Sequence, residues 1–450
     1  MKIRKKIIII LIIISALLSG YIYPVQADNS SLTSTTSNST TSGVLNSDFT
    51  ISSDGAILMD SATGTVLYGK NENKKLYPAS TTKILTAILA IEHCNPTDKI
   101  TASYNAVMSI PAGYSNAAIQ PGETLAFQDL LDMFLIHSAN EIGNIFAEHI
   151  SGSIENFAVL MNKKASELGC KNTHFTNPSG IHDKEHYSTA YDMALIARYC
   201  MKNQTFRDTV AKESCTIEAT DKYEKRFFKN TNDLLDSKSN YYYKYAIGTK
   251  TGYTSQAKRC LIASSLKNNL ELITVTLGAE SSTIDTRYQD TINLFEYGYS
   301  NYKIAEIAYK DSVIENLSIE NATNDTKDLS LVLKNNISGL VPINTNLSNL
   351  DYSVKLNNLI AAPIQEGTIL GKITYKIGDF EYSEDLVASH NVEEFDPITL
   401  LCQIGLALFI LFVLAKLVLP KKKNKKKSKK GKTYKKKKSS SNKKSIYKFN

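Results

Sequence analysis

Two apolar segments, one near each end of the 450-residue chain, limit what this sequence can fold into. The first, Ile7–Leu18, follows four basic residues and precedes the small-residue sequence Val25-Gln26-Ala27. This order is typical of a secretory signal peptide, here residues 1–27, with Asp28 as the mature start. An uncleaved anchor is the alternative interpretation. In both cases we expect the body of the chain to fold outside the cytoplasm.

The second apolar segment, Ile398–Leu419, is 22 residues long. A helix of that length crosses a hydrocarbon core of about 30 Å, so we predict a transmembrane helix over 398–419. Sixteen lysines lie between Lys421 and Lys448, with no acidic residue among them. Because basic flanking residues favour the cytoplasmic side, the sequence predicts a single-pass cell-membrane protein with a polybasic cytoplasmic tail over 420–450.

The body between Asp28 and Pro397 carries 31 basic and 44 acidic residues, a net charge of about −13. Nucleic acid is therefore not an expected partner. The six cysteines show no C-x-x-C spacing, and five of them, an odd number, precede the membrane segment. We interpret most of them as small buried apolar residues, since the spacing gives no support to a zinc or thiol redox centre.

The order of the predicted elements indicates the fold class. Residues 28–50 are rich in Ser, Thr and Asn and are predicted to form a flexible leader. Two strand patterns follow, Ala56–Met59 and Thr65–Tyr68. Helical patterns come next, over Ser80–His93, Ala126–Ile150, Ile154–Leu168 and Thr189–Met201. Two further strand patterns, Arg259–Leu266 and Leu270–Leu277, precede a final helix over Ile284–Tyr299. This order predicts an α+β domain over 51–300, with an antiparallel sheet in which the two ends of the domain meet. Short Ile, Val and Leu runs over 301–390 predict a small all-β domain.

Three short motifs in the first domain carry the candidate chemistry. Ser80 lies three residues before Lys83, which places both side chains on one face of a predicted helix. A serine hydroxyl is a poor nucleophile until a base takes its proton, and a lysine can be that base when burial and nearby cations lower its pKa. The spacing alone is not specific, because a helix-capping serine followed by an exposed lysine gives the same pattern.

The other two motifs follow along the same domain. Ser138-Ala139-Asn140 supplies a second hydroxyl and an amide, which can relay a proton and orient a substrate amide. Lys250-Thr251-Gly252 offers a cation, a hydroxyl and a stretch of backbone that an extended peptide can approach. Each motif by itself fits equally well a helix cap or a turn with a solvated lysine.

Together and in this order, the three motifs resemble those of the penicilloyl-serine transferase superfamily, which includes penicillin-binding proteins and class A β-lactamases. Further segments narrow the resemblance to the D-alanyl-D-alanine carboxypeptidase family, the low-molecular-mass penicillin-binding proteins: Asn177–Gly180, His186–Ala190, Asp192–Ala194, Gly248–Thr254 and Cys260–Ser264. The resemblance covers residues 51–299. It implies a sheet flanked by helices with a helical subdomain, an all-β second domain over 301–390, and neither a metal nor another cofactor.

Carried over residue by residue, the resemblance implies a serine-type carboxypeptidase that removes the terminal D-alanine from peptidoglycan stem peptides ending in D-Ala-D-Ala. Ser80 would form an acyl-enzyme, Lys83 would accept its proton, and Ser138 would relay a proton to the leaving amine. Asn140 would bind the substrate amide, Lys250 and Thr251 its terminal carboxylate, and the backbone N–H groups of Ser80 and Tyr253 its oxyanion. Gly252 would let the substrate backbone approach closely. Arg287 would also face the carboxylate, with a surface helix arginine as the alternative interpretation. The resemblance also implies that β-lactam antibiotics bind covalently as inhibitors.

Two departures from the family pattern leave this expectation intact. Ala139 stands where a glycine is common, and the position needs only a small residue. The anchor is a spanning segment instead of an amphipathic helix.

His182 and His186 match the zinc-peptidase pattern H-x-x-E-H. That chemistry needs both histidines on one helix face. The turn sequence Asn177–Gly180 precedes this segment, and the next helix is predicted to begin near Thr189, with Asp192 in a capping box. We therefore predict no metal at this pair.

Three alternative functions stay open on the sequence alone. A β-lactamase-like hydrolase would need a deacylating glutamate between the second and third motifs, and no segment there resembles one. A silent wall-binding protein is disfavoured by the intact Ser80, Lys83, Ser138 and Lys250, since packing does not require all four. A transpeptidase would use the same acyl-enzyme with an amine as acceptor.

Overall fold

The computed structural model of the protein describes residues 50–280 and 284–418. These residues divide into two compact units. The first holds the described residues 50–280 and 284–309 with Asn336–Val354 and Ile373–Glu384, and the second holds Lys310–Asn335, Lys355–Lys372 and residues 385–418. The predicted signal peptide and basic tail, and all but the last residue of the predicted leader, lie outside the described residues. The domain bounds 51–300 and 301–390 stay a prediction.

The described residues form sixteen β-strands: β1 Gly55–Asp60, β2 Val66–Lys70, β3 Lys99–Thr101, β4 Thr124–Ala126, β5 Ser214–Ile217, β6 Arg226–Lys229, β7 Ala246–Thr254, β8 Lys258–Lys267, β9 Leu270–Ala279, β10 Tyr302–Ala308, β11 Val313–Ser318, β12 Asp328–Leu333, β13 Ile337–Pro342, β14 Tyr352–Leu356, β15 Ile369–Ile377 and β16 Phe380–Ala388. They also form nine α-helices: α1 Lys83–His93, α2 Tyr104–Met108, α3 Phe127–Asp132, α4 Asn140–Ser151, α5 Ile154–Glu167, α6 Ala190–Met201, α7 Gln204–Val210, α8 Thr286–Asn301 and α9 Pro397–Val418.

A five-stranded antiparallel sheet in the order β2-β1-β9-β8-β7 forms the centre of the first unit. β1 pairs with β9, for example Ile57 with Val275, so the start and the end of the predicted α+β domain meet in one sheet. β8 and β9 form a hairpin around Asn268 and Asn269, whose φ angles of 51° and 64° suit a two-residue hairpin turn. The predicted fold class is thereby confirmed.

The central sheet separates two apolar cores, because successive side chains of a strand point to opposite faces. Ile57 and Met59 of β1 pack with residues of α1, α4 and α6. Leu58, between them, packs on the other face with Tyr288 and Phe295 of α8. All six residues of β1 are buried, which explains why Ala56–Met59 in the middle of this strand is a continuous apolar run. β2 and β7 remain as the two edge strands, and β7 is the edge that carries the third motif.

Two predicted helices are interrupted in the structure. The helix predicted over Ser80–His93 begins as a 3₁₀ turn, Ala79–Thr82, and becomes α-helical at Lys83. The helix predicted over Ala126–Ile150 is wrong as a single element: α3 gives way to a π-helical turn, Met133–His137, and α4 starts only at Asn140. Between them, Ser138 adopts a left-handed conformation with φ of 71°, which ends the helical hydrogen-bond ladder. Such π turns and positive φ angles concentrate at functional sites.

The C-terminal strands confirm the predicted all-β region. β10 pairs with β13, and a five-stranded sheet has the order β11-β12-β16-β15-β14. Within the second unit, Leu331 lies opposite Ala388 and Leu333 opposite Leu386, and all four are buried. The final helix, α9, is long and apolar enough to cross a membrane, with a mean hydropathy of 2.6.

Candidate active site

The first motif forms a tight turn that leads directly into α1. Ser80 lies in the 3₁₀ turn, where residues three apart are eclipsed, and the Lys83 Nζ is 2.9 Å from the Ser80 Oγ. Gly180 packs against this turn so closely that a Cβ there would lie 1.8 Å from the Ala79 carbonyl oxygen. The loop that contains Gly180 therefore packs directly against the turn, and only glycine at position 180 allows this close contact.

Lys83 is fully buried at the base of the site. Besides Ser80, its Nζ contacts the Asn140 Oδ1 at 2.7 Å and the Ser179 carbonyl oxygen at 2.7 Å. Burial lowers the pKa of Lys83 well below its usual value, the positive charge of Lys250 lowers it further, and the Glu141 carboxylate acts in the opposite direction. The shift is towards the neutral amine, the form that can accept a proton.

The partners of Lys83 also define where a proton can go. Neither the Asn140 side-chain carbonyl nor the Ser179 backbone carbonyl can donate, so each takes one N–H from the amine. A neutral lysine has two such hydrogens, and its lone pair is then left for the Ser80 hydroxyl. This arrangement suits a base that removes the Ser80 proton.

The second motif lies opposite the serine turn. The Asn140 Nδ2 donates to the Ser115 carbonyl oxygen at 2.7 Å, which fixes the amide so that its Oδ1 faces Lys83. Ser138, in its left-handed conformation, is nearly buried and lines the same cavity as Ser80. The break between the π turn and α4 is what presents both residues to the cavity.

The third motif lies on β7, at the edge of the central sheet. Lys250 is buried, and its Nζ donates to the Thr251 carbonyl oxygen at 3.1 Å. Burial lowers the pKa of Lys250 to about 7, and the positive charge of Arg287 acts in the same direction. The Thr251 hydroxyl lies 2.7 Å from the Thr231 hydroxyl.

Gly252 brings β7 against the serine turn. A Cβ at this position would lie 3.1 Å from each of three backbone atoms, namely the Pro78 oxygen, the Ser80 nitrogen and the Thr81 nitrogen. A real Cβ rarely makes contacts this short, so the strand needs glycine here. The next residue, Tyr253, is largely exposed beside this contact.

A cavity of about 490 Å³ joins the three motifs. Predicted residues from all three line it, together with Arg287 of α8: Ser80, Ser138, Asn140, Thr251, Gly252 and Tyr253. Lys83 and Lys250 lie buried behind this lining. Arg287 is 8% exposed and forms an ion pair with Asp285 at 3.0 Å. Among the described residues, no Asp or Glu lines the cavity.

Three groups that complete the site were not predicted from the sequence. The carbonyls of Ser115 and Ser179 accept hydrogen bonds from Asn140 and Lys83, and the Thr231 hydroxyl contacts Thr251. Backbone carbonyls leave no trace in a sequence. The turn sequence around Ser179 was a visible signal, whereas nothing in the sequence singles out Thr231.

The two histidines of the zinc-peptidase pattern lie outside any helix, as predicted. The Thr176 backbone N–H donates to the His186 Nδ1 at 3.1 Å, which leaves the Nε2 hydrogen for the Thr82 hydroxyl at 2.8 Å. Burial lowers the pKa of His186 to about 3. The ring of His186 therefore supports the serine turn from below. His182 packs edge-on against Tyr77.

The site combines a serine beside a buried lysine, a second serine in the same cavity and a buried lysine on an edge strand. These features define a class of protein, the serine hydrolases in which lysine replaces the usual histidine base. Comparison with known proteins makes this specific. Residues 39–281 match the family model "D-alanyl-D-alanine carboxypeptidase", and residues 302–394 match "Penicillin-binding protein 5, C-terminal domain".

The chain is 35% identical over 340 residues to the D-alanyl-D-alanine carboxypeptidase DacF of Bacillus subtilis, covering 74% of this chain and 84% of that protein. Penicillin-binding protein 5 of Haemophilus influenzae has a similar crystal structure, with a TM-score of 0.63, 26% identity, and coverage of 78% of this chain and 100% of that one. The DD-transpeptidase of Streptomyces K15 aligns with a TM-score of 0.52 and 30% identity over 56% of this chain and 99% of its own. The chain belongs to the D-alanyl-D-alanine carboxypeptidase family, whose members are serine carboxypeptidases.

Proposed function

We propose that this protein removes the terminal D-alanine from peptidoglycan stem peptides through an acyl-enzyme on Ser80, and that β-lactams acylate the same residue. The single observation that carries this proposal is the buried Lys83 amine, 2.9 Å from the Ser80 hydroxyl and satisfied elsewhere by two carbonyl oxygens. Packing alone gives no reason to bury a lysine in this setting, since an unpaired charge there is costly.

In the proposed acylation step, the Ser80 Oγ attacks the carbonyl carbon between the two D-alanines. The Oγ–C bond forms while the hydroxyl proton passes to Lys83. The backbone N–H groups of Ser80 and Tyr253 would stabilise the oxyanion, a contribution worth about 10²–10³ in rate per donor in comparable sites. The close contact of Gly252 with the Ser80 nitrogen supports this assignment.

Collapse of the tetrahedral intermediate then breaks the C–N bond. The departing D-alanine amine takes a proton that Lys83 received and that Ser138 relays across the cavity. Lys250, Thr251 and Arg287 would hold its carboxylate. Lys250 and Arg287 supply two positive charges at one end of the site. Asn140 has a second use here, because the same amide that orients Lys83 lies in the cavity wall, where a substrate amide would pass.

Water completes the cycle by attacking the acyl carbonyl carbon; the Ser80 Oγ–C bond breaks, and the water proton passes through Lys83 to the Ser80 Oγ, which releases the shortened free acid. A β-lactam acyl-enzyme would persist, because no carboxylate among the described cavity residues is placed to activate water against it. This favours a penicillin-binding carboxypeptidase over a β-lactamase-like hydrolase.

Transpeptidation is the second candidate function. The similarity to the Streptomyces K15 DD-transpeptidase favours it, since an amine acceptor would use the same acyl-enzyme. Adding glycine or a diamino acid to the assay separates the two outcomes: a carboxypeptidase gives the shortened free acid, and a transpeptidase gives a new amide.

We further propose that the enzyme works at the outer face of the cell membrane. α9 would anchor it, the signal peptide would direct export, and the basic tail would remain in the cytoplasm. This places the cavity on the side where peptidoglycan lies.

The test is release of D-alanine from a peptide ending in D-Ala-D-Ala by the full chain in detergent. Ser80→Ala is expected to lower the rate more than about 1,000-fold, since removal of a nucleophile leaves only binding and oxyanion effects. Ser255→Ala is the matched control, because Ser255 lines the same cavity and has no proposed role. Full activity in Ser80→Ala would refute the proposal.

A further inference from the structure

Three metal-ligating side chains converge at a point that the active site does not use. Cys94, Asp98 and His149 each bring one ligand atom to within 4.8 Å of the others. Cys94 caps the C-terminus of α1, and His149 lies in the last turn of α4. Asp98 follows in a tight turn, where its carboxylate accepts from the Asn95 backbone N–H at 2.8 Å. Two of the ligands are thus positioned by the ends of helices, and the third by a hydrogen-bonded turn.

The electrostatic setting favours a cation. Helix C-termini carry partial negative charge, and both α1 and α4 end at this cluster. Asp98 adds a carboxylate, and no Lys or Arg forms an ion pair with it within the described ranges 50–280 and 284–418. In that part of the chain the Cys94 thiol forms no disulfide and the His149 side chain is exposed, so both are available as ligands.

We propose that Cys94, Asp98 and His149 bind a divalent cation of the zinc class, with water as a fourth ligand. Sulfur, imidazole nitrogen and carboxylate oxygen together are a donor set that suits Zn²⁺. As the S–metal bond forms, the thiol proton leaves to solvent. With metal–ligand bonds of about 2.0–2.3 Å, tetrahedral ligands lie about 3.3–3.8 Å apart. The ligand atoms lie within 4.8 Å of one another, so metal binding would require the exposed His149 side chain to rotate until they reach that range.

The position of this site gives it a structural role. α1 begins at Lys83 and α4 begins at Asn140, and these two residues are joined by a hydrogen bond of 2.7 Å. The cation would join the opposite ends of the same two helices. It therefore lies away from the reacting atoms and would act by fixing the helix pair that carries the base and its partner.

Cobalt binding to the full chain in detergent tests the site, after treatment with a chelator and a phosphine reductant. We expect one equivalent of Co²⁺ to give a near-ultraviolet thiolate-to-cobalt absorption band, and one equivalent of ZnCl₂ to remove it. Excess ZnCl₂ is expected to raise the melting temperature by at least about 3 °C. Cys94→Ser should abolish the band, and His149→Gln should weaken cobalt binding at least about tenfold.

Two variants are matched controls. Cys170→Ser removes a different thiol, which is partly exposed, and His93→Gln removes the imidazole next to Cys94 in sequence; both variants should retain the band. Because His149 is exposed, His149→Gln is expected to fold and keeps the test decisive if Cys94→Ser does not. Absence of the band in the wild type, or an unchanged band in His149→Gln or Cys94→Ser, would overturn the proposal. D-alanine release is not the readout, so the outcome is independent of the proposed function.

Discussion

At the scale of single residues, two lysines in one site have their pKa values lowered for different uses. Lys83 is lowered by burial, with Lys250 as the second cause, which suits a base. Lys250 is lowered to about 7 by burial, with Arg287 as the second cause, although its proposed task requires the cation. A substrate carboxylate would restore the charge on Lys250, because an opposite charge nearby favours the protonated form. The two lysines therefore impose opposite pH dependences.

We predict that kcat/KM rises with pH as Lys83 loses its proton in the free enzyme and falls again as pH passes about 7 and Lys250 loses its own. Arg287→Gln removes a positive charge that lowers the pKa of Lys250, so the falling limb should move to higher pH while KM increases. Arg259→Gln is the control, because Arg259 pairs with the same Asp285 but does not perturb Lys250. A falling limb that stays in place in Arg287→Gln would contradict this assignment.

At the scale of elements, local sequence patterns predicted the main helices and four strands of the central sheet, but not the irregular backbone that forms the site. The hairpin of β8 and β9 and the capping of α6 by Thr189 follow from turn and cap chemistry that the sequence shows. The π turn before Ser138 does not, because residues 126–150 keep a helical apolar pattern through the break. Tertiary contacts decide such a break, including the hydrogen bond of the Asn140 backbone N–H to the Ser115 carbonyl oxygen.

We predict that Gly252→Ala displaces β7 from the serine turn and slows acylation by a β-lactam at least about tenfold. The added methyl group would meet backbone at 3.1 Å, and overpacking of this kind typically costs about 1–3 kcal/mol of stability. Gly69→Ala on β2, the opposite edge of the same sheet, is the control, because its methyl group meets only the flexible end of Glu72. Acylation rates measured by stopped flow that are equal in the two variants would rule out the proposed role of the contact.

At the scale of the whole molecule, the described residues comprise a folded body and one helix, α9, which contributes no residue to the core of that body. The apolar span of α9 has no buried residue, which agrees with a helix made for lipid. The length and composition of this helix, and the lysine-rich segment that follows it, could be identified from the sequence because they depend on local composition alone. The assembly of the cavity from residues 80 to 287 was expected only from the resemblance, since no local pattern encodes contacts at such separations.

We predict that the full chain sediments with membranes and requires detergent, whereas a chain ending at Phe395 is released and still forms a β-lactam adduct. Removal of α9 opens no cavity in the body, because none of its span is buried there. Protease added to intact cells stripped of wall should degrade the body and spare an epitope placed on the basic tail. Loss of the epitope under these conditions would show the opposite orientation.

The most direct test of the account is the mass of the intact protein after exposure to benzylpenicillin, followed by mapping of the modified peptide. We predict that the mass of one penicillin is added, that it is located on Ser80, and that this adduct lasts much longer than one turnover of the D-Ala-D-Ala peptide. It should be absent from Ser80→Ala and formed far more slowly in Lys83→Arg, because arginine does not act as a base. An adduct on another residue, an adduct that persists in Ser80→Ala, or no adduct on the folded wild type would contradict the assignment of Ser80 as the acylated nucleophile.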